Sequence, residues 1–264
     1  MKSATDVHAA NDEHSRLRRF DLREIDAPDQ RSHFALKYTG RLEAVLAALR
    51  RTVPPGGAIV EVGCAQANAS LLLAEEGYVA VGVDLVPEAL AYARRKRERG
   101  RFLPLGADAR HLPIKPGSCD AVYLGEVLEH CADPTAVLRQ CKRCLTDEGV
   151  MVVTTMNGEW FGSPDPTYSQ ARTRAPRKPP HGAGGEDHLF AFTAAELLQV
   201  IQQAGLRPLR LERHASVIHS DRLMWLKRLA GPRALRALSR LACRLPFVGR
   251  RTALTLMVIA KPVR

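Results

Sequence analysis

From residue 58 to residue 157 the chain switches repeatedly between short apolar runs and amphipathic stretches of helical length. "AIVEV" (58–62) reads as a buried strand, "YVAVGVDL" (78–85) as a second strand, "RFLPLGAD" (101–108) as a third with its exit loop, "CDAVYLGEVLEH" (119–130) as a fourth running into a loop, and "VMVVTTMN" (150–157) as a fifth. Between them "SLLLAEE" reads as a helix closed by Gly77, and "PEALAYARRKRER" as one with Pro87 in its first turn and Gly100 at its stop. "DPTAVLRQCKRCLTDEG" follows, capped by Asp133 and stopped at Gly149. A further helix, "TAAELLQVIQQAG", precedes two more strands, "LRPLRLERH" and "TALTLMVIAKP". Strands that alternate with helices need crossover connections, and right-handed crossovers build a parallel, doubly wound α/β sheet. A chain of 264 residues that is 45% hydrophobic can bury one large core of this kind.

In such sheets ligands bind beyond the carboxyl ends of the strands. Glu61 and Gly63 stand at the first of these ends, Asp84 at the second, 21 residues beyond Gly63, and Asp108 at the third. A carboxylate at the second end can accept from both hydroxyls of a ribose, and one at the third can accept from an exocyclic amine such as that of adenine. Either aspartate alone could equally cap a turn. The two in order favour an adenosine site. A dinucleotide needs G-x-G-x-x-G so that pyrophosphate can approach a helix N-terminus. Here the loop reads G-C-A-Q-A-N, which disfavours a dinucleotide and leaves room for an adenosine ligand without phosphate, with Ala65 and Ala67 expected at negative φ.

On "VEVGCAQAN", "VGVDLVPEAL", "GADARHLPIKPGSCDAVYLGEVLEHCADP", "LRQCKRCLTDEGVMVVTTMN" and "HLFAFTAAELLQVIQQAGL", the chain resembles class I S-adenosylmethionine-dependent methyltransferases. The likeness is to the methyltransferase type 11 group, with its ubiquinone and menaquinone enzymes, and runs from about residue 58 to 206. It implies a Rossmann-like seven-stranded sheet, mostly parallel with an antiparallel last strand, and helices on both faces. It also implies S-adenosyl-L-methionine as cofactor. Glu61, Gly63, Cys64 and Ala65 would hold its methionine end, Asp84 and Leu85 the ribose, and Asp108 and Ala109 the adenine, while Gly125 and Glu126 would line the methyl-transfer side. The departures are Ala65 and Ala67, where the family usually has glycine. Direct methyl transfer needs alignment more than covalent help, but a hydroxyl acceptor must lose a proton. His130 and His188 are the candidate bases, against a reading of Glu126, Glu129 and His130 as solvated faces of a turn. No metal is expected.

Outside this stretch the expected organisation is an N-terminal helical or flexible flap over 1–50 and a methyltransferase domain over 51–264. That domain would carry a lid-like loop at 157–188, which includes His181, and a basic helical insertion at 216–250. Cys141 and Cys144 form a lone C-x-x-C without zinc spacing and read as helix residues. Residues 1–206 hold 25 Lys/Arg against 26 Asp/Glu, and residues 207–264 hold 14 against 2. The basic charge is thus confined to the last fifth and marks a surface for an anionic partner. Gly231-Pro232 divides it into "SDRLMWLKRLA" and "RALRALSRLACRLPF". On a wheel of the second piece Leu235, Leu238, Leu241 and Leu245 fall on one side, and Arg233, Arg236, Arg240 and Arg244 on the other. Such a stripe packs on a core or, with Trp225, Met224 and Phe247 as anchors, lies on an anionic membrane through 221–251. The N-terminus has no apolar h-region and "ALTLMVIA" is too short to span a bilayer, so a cytoplasmic place is expected, with peripheral contact at the inner membrane surface.

Three function classes stay open on these residues. The first, and favoured, is transfer to a small-molecule or lipid-linked acceptor, most simply at oxygen. The second is RNA methylation, disfavoured because the site-bearing body is not basic and "LGEV" stands where an N-P-P-Y-type sequence would. The third is a nicotinamide oxidoreductase or a degenerate nucleotide-binding protein, weakened by the loop and by Tyr168 being followed by Arg172 rather than Lys.

Overall fold

The computed structural model describes residues 33–173, 188–216 and 232–263. Seven strands, β1 (Ala58–Val62), β2 (Val79–Asp84), β3 (Arg101–Gly106), β4 (Cys119–Gly125), β5 (Leu145–Met156), β6 (Leu206–Ser216) and β7 (Ala253–Pro262), form one sheet in the order β3-β2-β1-β4-β5-β7-β6. Strands β1 to β5 pair in parallel, and β7 runs antiparallel to both β5 and β6. The order reverses between β1 and β4, so the crevice expected from the sequence opens above Val62 and Gly125.

The strand period of two sorts the core into two layers. Val122, Leu124, Met151 and Val153 face α4 (Pro134–Cys144) and α6 (Ala194–Gln203), which bury Val137, Leu138, Leu197 and Ile201 against them. Ala121, Tyr123, Val150 and Val152 face the other way, into a cluster with Val45 and Leu49 of α1 (His33–Thr52). The boundary expected at residue 50 falls inside α1, whose buried face belongs to this second layer. The short α2 (Asn68–Glu75) and α3 (Pro87–Lys96) complete the packing around Cys64 and Phe102.

Helix α4 ends earlier than the sequence suggests. Its final carbonyls are taken by the segment that leads into β4: Gly117 N–H donates to Arg143 O at 3.0 Å and Ser118 N–H to Cys144 O at 2.9 Å. With those acceptors satisfied the chain turns extended at Leu145, and Gly149 lies within β5 instead of stopping a helix. Cys141 and Cys144 are helix residues with buried free thiols.

The basic segment also departs from expectation. Helix α7 (Pro232–Arg244) packs on β6 through a narrow stripe of Leu235, Ser239 and Cys243, and Ser239 Oγ accepts the N–H of Ser216 at 3.1 Å. That bond fixes the helix rotation. Of the four leucines expected on one packed side only Leu235 is buried, at 2% exposure, while Leu238, Leu241 and Leu245 are 49%, 57% and 47% exposed. Helix α8 (Pro246–Thr252) follows, and α5 (Tyr168–Thr173) lies in the stretch assigned to a lid. No described helix is long and apolar enough to cross a membrane. The expected helix at 220–230 with Met224 and Trp225, most of the expected flap, and His181 fall outside the described residues.

If α1 is part of the core, Leu49→Ala, at a fully buried position, should destabilise the protein by about 2–5 kcal/mol. Arg51→Ala, on the exposed side, should stay within about 0.5 kcal/mol. Urea denaturation of the two variants measures the difference; equal stabilities would mean that α1 is detachable.

Candidate active site

The connection from β1 to α2 turns on three residues in the left-handed region. Gly63 has φ 68°, and a Cβ there would lie 2.4 Å from Val127 Cγ2, so only glycine fits. Ala65 (φ 45°) and Ala67 (φ 54°) are also left-handed, contrary to the negative φ expected for them. Each alanine there costs on the order of 1 kcal/mol, which neighbouring bonds must offset. Asp84 Oδ2 accepts from Ala65 N at 2.7 Å, and Val83 O accepts from Gly63 N and Cys64 N at 2.8 and 3.0 Å. Ala67, as the N-cap of α2, has no side chain to cap with. Glu61 does the capping from the strand: its Oε2 accepts from Ser70 N at 2.9 Å and Ser70 Oγ at 2.7 Å. Burial pushes the Glu61 carboxyl up to about 7 despite those bonds.

Asp84 is buried at the end of β2, and its other oxygen accepts from Val86 N at 2.9 Å. Each oxygen has a second lone pair, so the carboxylate can brace the loop and still accept from a ligand. Leu85 beside it is part-exposed, whereas the Cys64 side chain packs into the core with Leu71 and Phe102 and leaves only its backbone to the loop. Asp108, next to part-buried Ala109, is bound by its neighbour: Arg110 donates to it from the backbone at 2.8 Å and from the guanidinium at 2.7 and 2.9 Å. Burial raises its pKa, but the bonds from Arg110 outweigh this and hold the carboxyl below its ordinary value. The turn-capping reading is therefore realised at Asp108.

Across the crevice β4 ends at Gly125, where a Cβ would lie 2.2 Å from the Tyr123 hydroxyl. Glu126 follows at φ 57°, with its N–H held by Thr154 O at 2.9 Å. Its carboxylate lies 3.1 Å from the Arg41 guanidinium of α1, in ion-pair range but not aligned for a hydrogen bond. Burial depresses the Arg41 pKa, but Glu126 and then Tyr123 more than reverse this, so the cation is retained. Tyr38, one turn earlier on α1, accepts from Asn68 Nδ2 at 2.5 Å. Helix α1 thus touches both lips of the crevice.

The 3-10 turn Leu128–His130 carries the densest chemistry. Glu129 is wholly buried, not a solvated face; its Oε2 accepts from Thr155 Oγ1 at 2.8 Å, and its Oε1 has no hydrogen-bond partner among the described residues. Burial, and next the charge of Glu126, push its carboxyl up to about 8. Leu189 N–H donates to Glu129 O at 3.0 Å, which draws the neighbouring His188 onto the turn. The His188 and His130 rings lie 4.9 Å apart, and Asp165 Oδ2 is 3.0 Å from His188 Nδ1. A carboxylate oxygen can only accept, so Nδ1 carries the proton in that bond and the ring is oriented by Asp165. Donor atoms of Glu129, His130 and His188 all lie within 4.8 Å of one another, a spacing that could share one proton or hold one divalent cation.

The structure therefore gathers Glu61, Gly63, Ala65, Asp84, Gly125 and Glu126 at one crevice, with His130 and His188 paired beside it. Arg41 and Asp165 are absent from the sequence reading. Arg41 had a signal: it shares the i, i+4, i+8 face of Val45 and Leu49, and a cation on an apolar stripe points to a buried partner. Asp165 had none, being joined to His188 only through the fold.

Residues 60–153 match the family model described as a methyltransferase domain. The Ubiquinone biosynthesis O-methyltransferase of Xanthomonas axonopodis pv. citri is 32% identical over 169 residues, which cover 60% of this chain and 67% of that protein. The protein of the same name from Xanthomonas campestris pv. campestris strain B100 is 32% identical over 123 residues, or 44% of this chain and only 49% of its own length. Among solved structures, an S-adenosylmethionine dependent methyltransferase from Mesorhizobium loti superposes with a TM-score of 0.55 at 19% identity, covering 83% of this chain and 99% of that one. Geranyl diphosphate methyltransferase in complex with GPP and sinefungin gives 0.57 at 17% identity, covering 84% and 78%. These two likenesses concern the fold.

Two outcomes follow from the geometry. Ala65→Gly should stabilise the protein by about 0.5–1 kcal/mol, the relief of left-handed strain less the added freedom of the unfolded chain. A thermal midpoint that fails to rise in calorimetry would contradict the strain. Glu129 gives a dependence on pH. Between its ordinary value and about 8 the folded protein holds a proton that the unfolded chain has lost, so stability falls as pH rises through that window. Glu129→Gln should flatten this part of the stability–pH curve, with its gain largest above about pH 8. A variant curve parallel to the wild type from acid to alkaline pH would exclude a protonated buried Glu129.

Proposed function

Because this chain belongs to the class I S-adenosylmethionine-dependent methyltransferases, we propose that it methylates a hydroxyl oxygen of a small-molecule or lipid-linked acceptor. The observation that carries the reading is the Asp165–His188 pair at 3.0 Å, set beside His130 and Oε1 of Glu129, which has no hydrogen-bond partner among the described residues. A phenol or alcohol loses its proton on methylation, and a base with an orienting carboxylate behind it serves that need; an acceptor with no proton to lose, such as a thioether, would have no use for the pair. The name of the Xanthomonas relatives, O-methyltransferases, supports the same choice of atom.

The residues present fit the cofactor. Asp84 retains acceptor capacity for ribose hydroxyls, and the left-handed backbone at Gly63 and Ala65 allows close approach of the tail. Glu61, held up near 7 by burial, would regain its charge beside an ammonium, and Arg41 is a part-buried cation suited to a carboxylate. Asp108 would accept from the adenine amine by releasing part of its contact with Arg110. Leu85 and Ala109 would flank the adenosine, the backbone of Cys64 would follow the tail, and Gly125 and Glu126 would line the transfer side. S-adenosylmethionine supplies an activated methyl on a sulfonium. The protein's part is to align the acceptor oxygen, exclude water and take the proton at His188 Nε2, with Asp165 fixing the ring and His130 as the neighbouring acceptor.

Labelled methyl transfer to simple phenols and hydroquinones, with calorimetry of cofactor binding, tests both halves. Asp84→Ala should weaken cofactor binding at least tenfold, about 1.4 kcal/mol. Asp165→Asn and His188→Ala should leave that affinity unchanged and lower kcat, His188→Ala by about a hundredfold or more. Transfer to nitrogen, sulfur or carbon, or undiminished kcat in His188→Ala and His130→Ala, would overturn the assignment. Loss of activity on EDTA treatment would reassign Glu129, His130 and His188 to holding a cation.

A further inference from the structure

Helices α7 and α8 leave a row of large apolar side chains facing outward. Leu238, Leu241 and Leu245 sit at i, i+3 and i+7 of one helical face, each about half exposed, and Phe247 and Val248 continue the row at 86% and 42% exposure. This is not the buried stripe, which is Leu235, Ser239 and Cys243. Arg240 and Arg244 are exposed between the two stripes, and Arg250 and Arg251 lie exposed at the end of α8. Residues 232–252 contain six arginines and no acidic residue. Among the described residues the acidic contacts of these cations reach back to the body of the protein, Arg240 to Glu43 at 3.4 Å and Arg250 to Glu159 at 2.8 Å.

We infer that the outer face of α7 and α8 docks on the surface of an anionic lipid bilayer, with the leucine row and Phe247 in the acyl boundary and the arginines at the headgroups. An apolar row flanked by cations is complementary to that surface on both counts, because the interior of the boundary is apolar and its rim is negative. A second copy of the chain fits less well. A two-fold interface would set one arginine row near its own image. A polyanion such as RNA would satisfy the arginines and give the leucines nothing to bury against.

The face is also wired to the crevice. Asn157 Nδ2 donates to Arg250 O at 3.1 Å and to Ala253 O at 2.7 Å, and Phe161 N–H donates to Arg251 O at 3.0 Å. Phe161 is itself 65% exposed beside α8. Four residues further on is Asp165, which holds His188. A bilayer bound at α8 would thus lie at the root of the segment that leads to the candidate base, which suits an acceptor that enters from the apolar phase.

Sedimentation with vesicles tests the inference without any acceptor. The protein should pellet with vesicles of phosphatidylcholine and phosphatidylglycerol in equal amounts, stay in solution with phosphatidylcholine alone, and be released by salt. Arg244→Gln with Arg251→Gln, and separately Leu241→Ser with Phe247→Ser, should each reduce the partition coefficient at least tenfold. All four positions are exposed, so the variants should fold, and methylation of a soluble phenol should be unchanged in both. Wild-type protein that remains in the supernatant, equal binding to both kinds of vesicle, or binding indifferent to either pair would overturn the inference. So would a mass by light scattering that falls from dimer to monomer in the Leu241→Ser, Phe247→Ser variant, which would make the face a self-interface. Failure here leaves the O-methylation reading intact, and failure of that reading on soluble phenols leaves vesicle binding intact.

Discussion

Asp84 accepts the backbone N–H of Ala65 at 2.7 Å, and the shape of the crevice follows from that bond together with the one from Glu61 to Ser70. The β1–α2 connection must reverse direction within a few residues, and here two alanines do what glycines would do without strain. The loop holds because buried carboxylates take its N–H groups in place of water. Both carboxylates come from strand ends, which the sheet fixes, so the rigid part of the molecule dictates the conformation of the irregular part. Were Glu61 lost, the N-terminal end of α2 would lose a cap that its N-cap residue, Ala67, cannot supply.

A second constraint is the helix that precedes the sheet. Arg41 lies beside Glu126 and Tyr123 and keeps its charge in a part-buried place. By spanning from Asn68 to Glu126, α1 joins the loop after β1 to the turn after β4, the two sides between which a methyl group and its acceptor would have to meet. The pair Glu126 and Glu129 would repel if both were ionised; Arg41 beside one and a proton on the other resolve the conflict.

The strands and most helices were legible because periodicity and burial agree along β1, β2, β4 and β5, which are covered on both faces. The ordered acids Glu61 and Asp84 were legible for the same reason, since strand ends carry the site. What escaped had no local cause. The φ of Ala65 is set by a carboxylate 19 residues away in sequence, and residue propensity pointed the opposite way. The end of α4 is set by the backbone of Gly117 and Ser118, so Gly149 was a false stop. Leu238, Leu241 and Leu245 match a core stripe in sequence as well as Leu235 does; the rotation of α7 is decided by one hydroxyl, that of Ser239, meeting the end of β6. Asp165 and His188, 23 residues apart, meet only through the fold.

The position of β7 has a consequence for how the molecule is made. It follows β6 and the whole α7–α8 excursion in the chain, yet it lies between β5 and β6 in the sheet. During synthesis β5 therefore keeps an open edge until residues 253–262 have left the ribosome, and β6 has no strand to pair with until then. The five parallel strands and their crevice can assemble first. The exposed edge of β5, with Val152 and Val153 on it, is the place where a nascent chain could pair with the wrong strand. Insertion of β7 closes that edge and draws α8 down beside Asn157 in the same step.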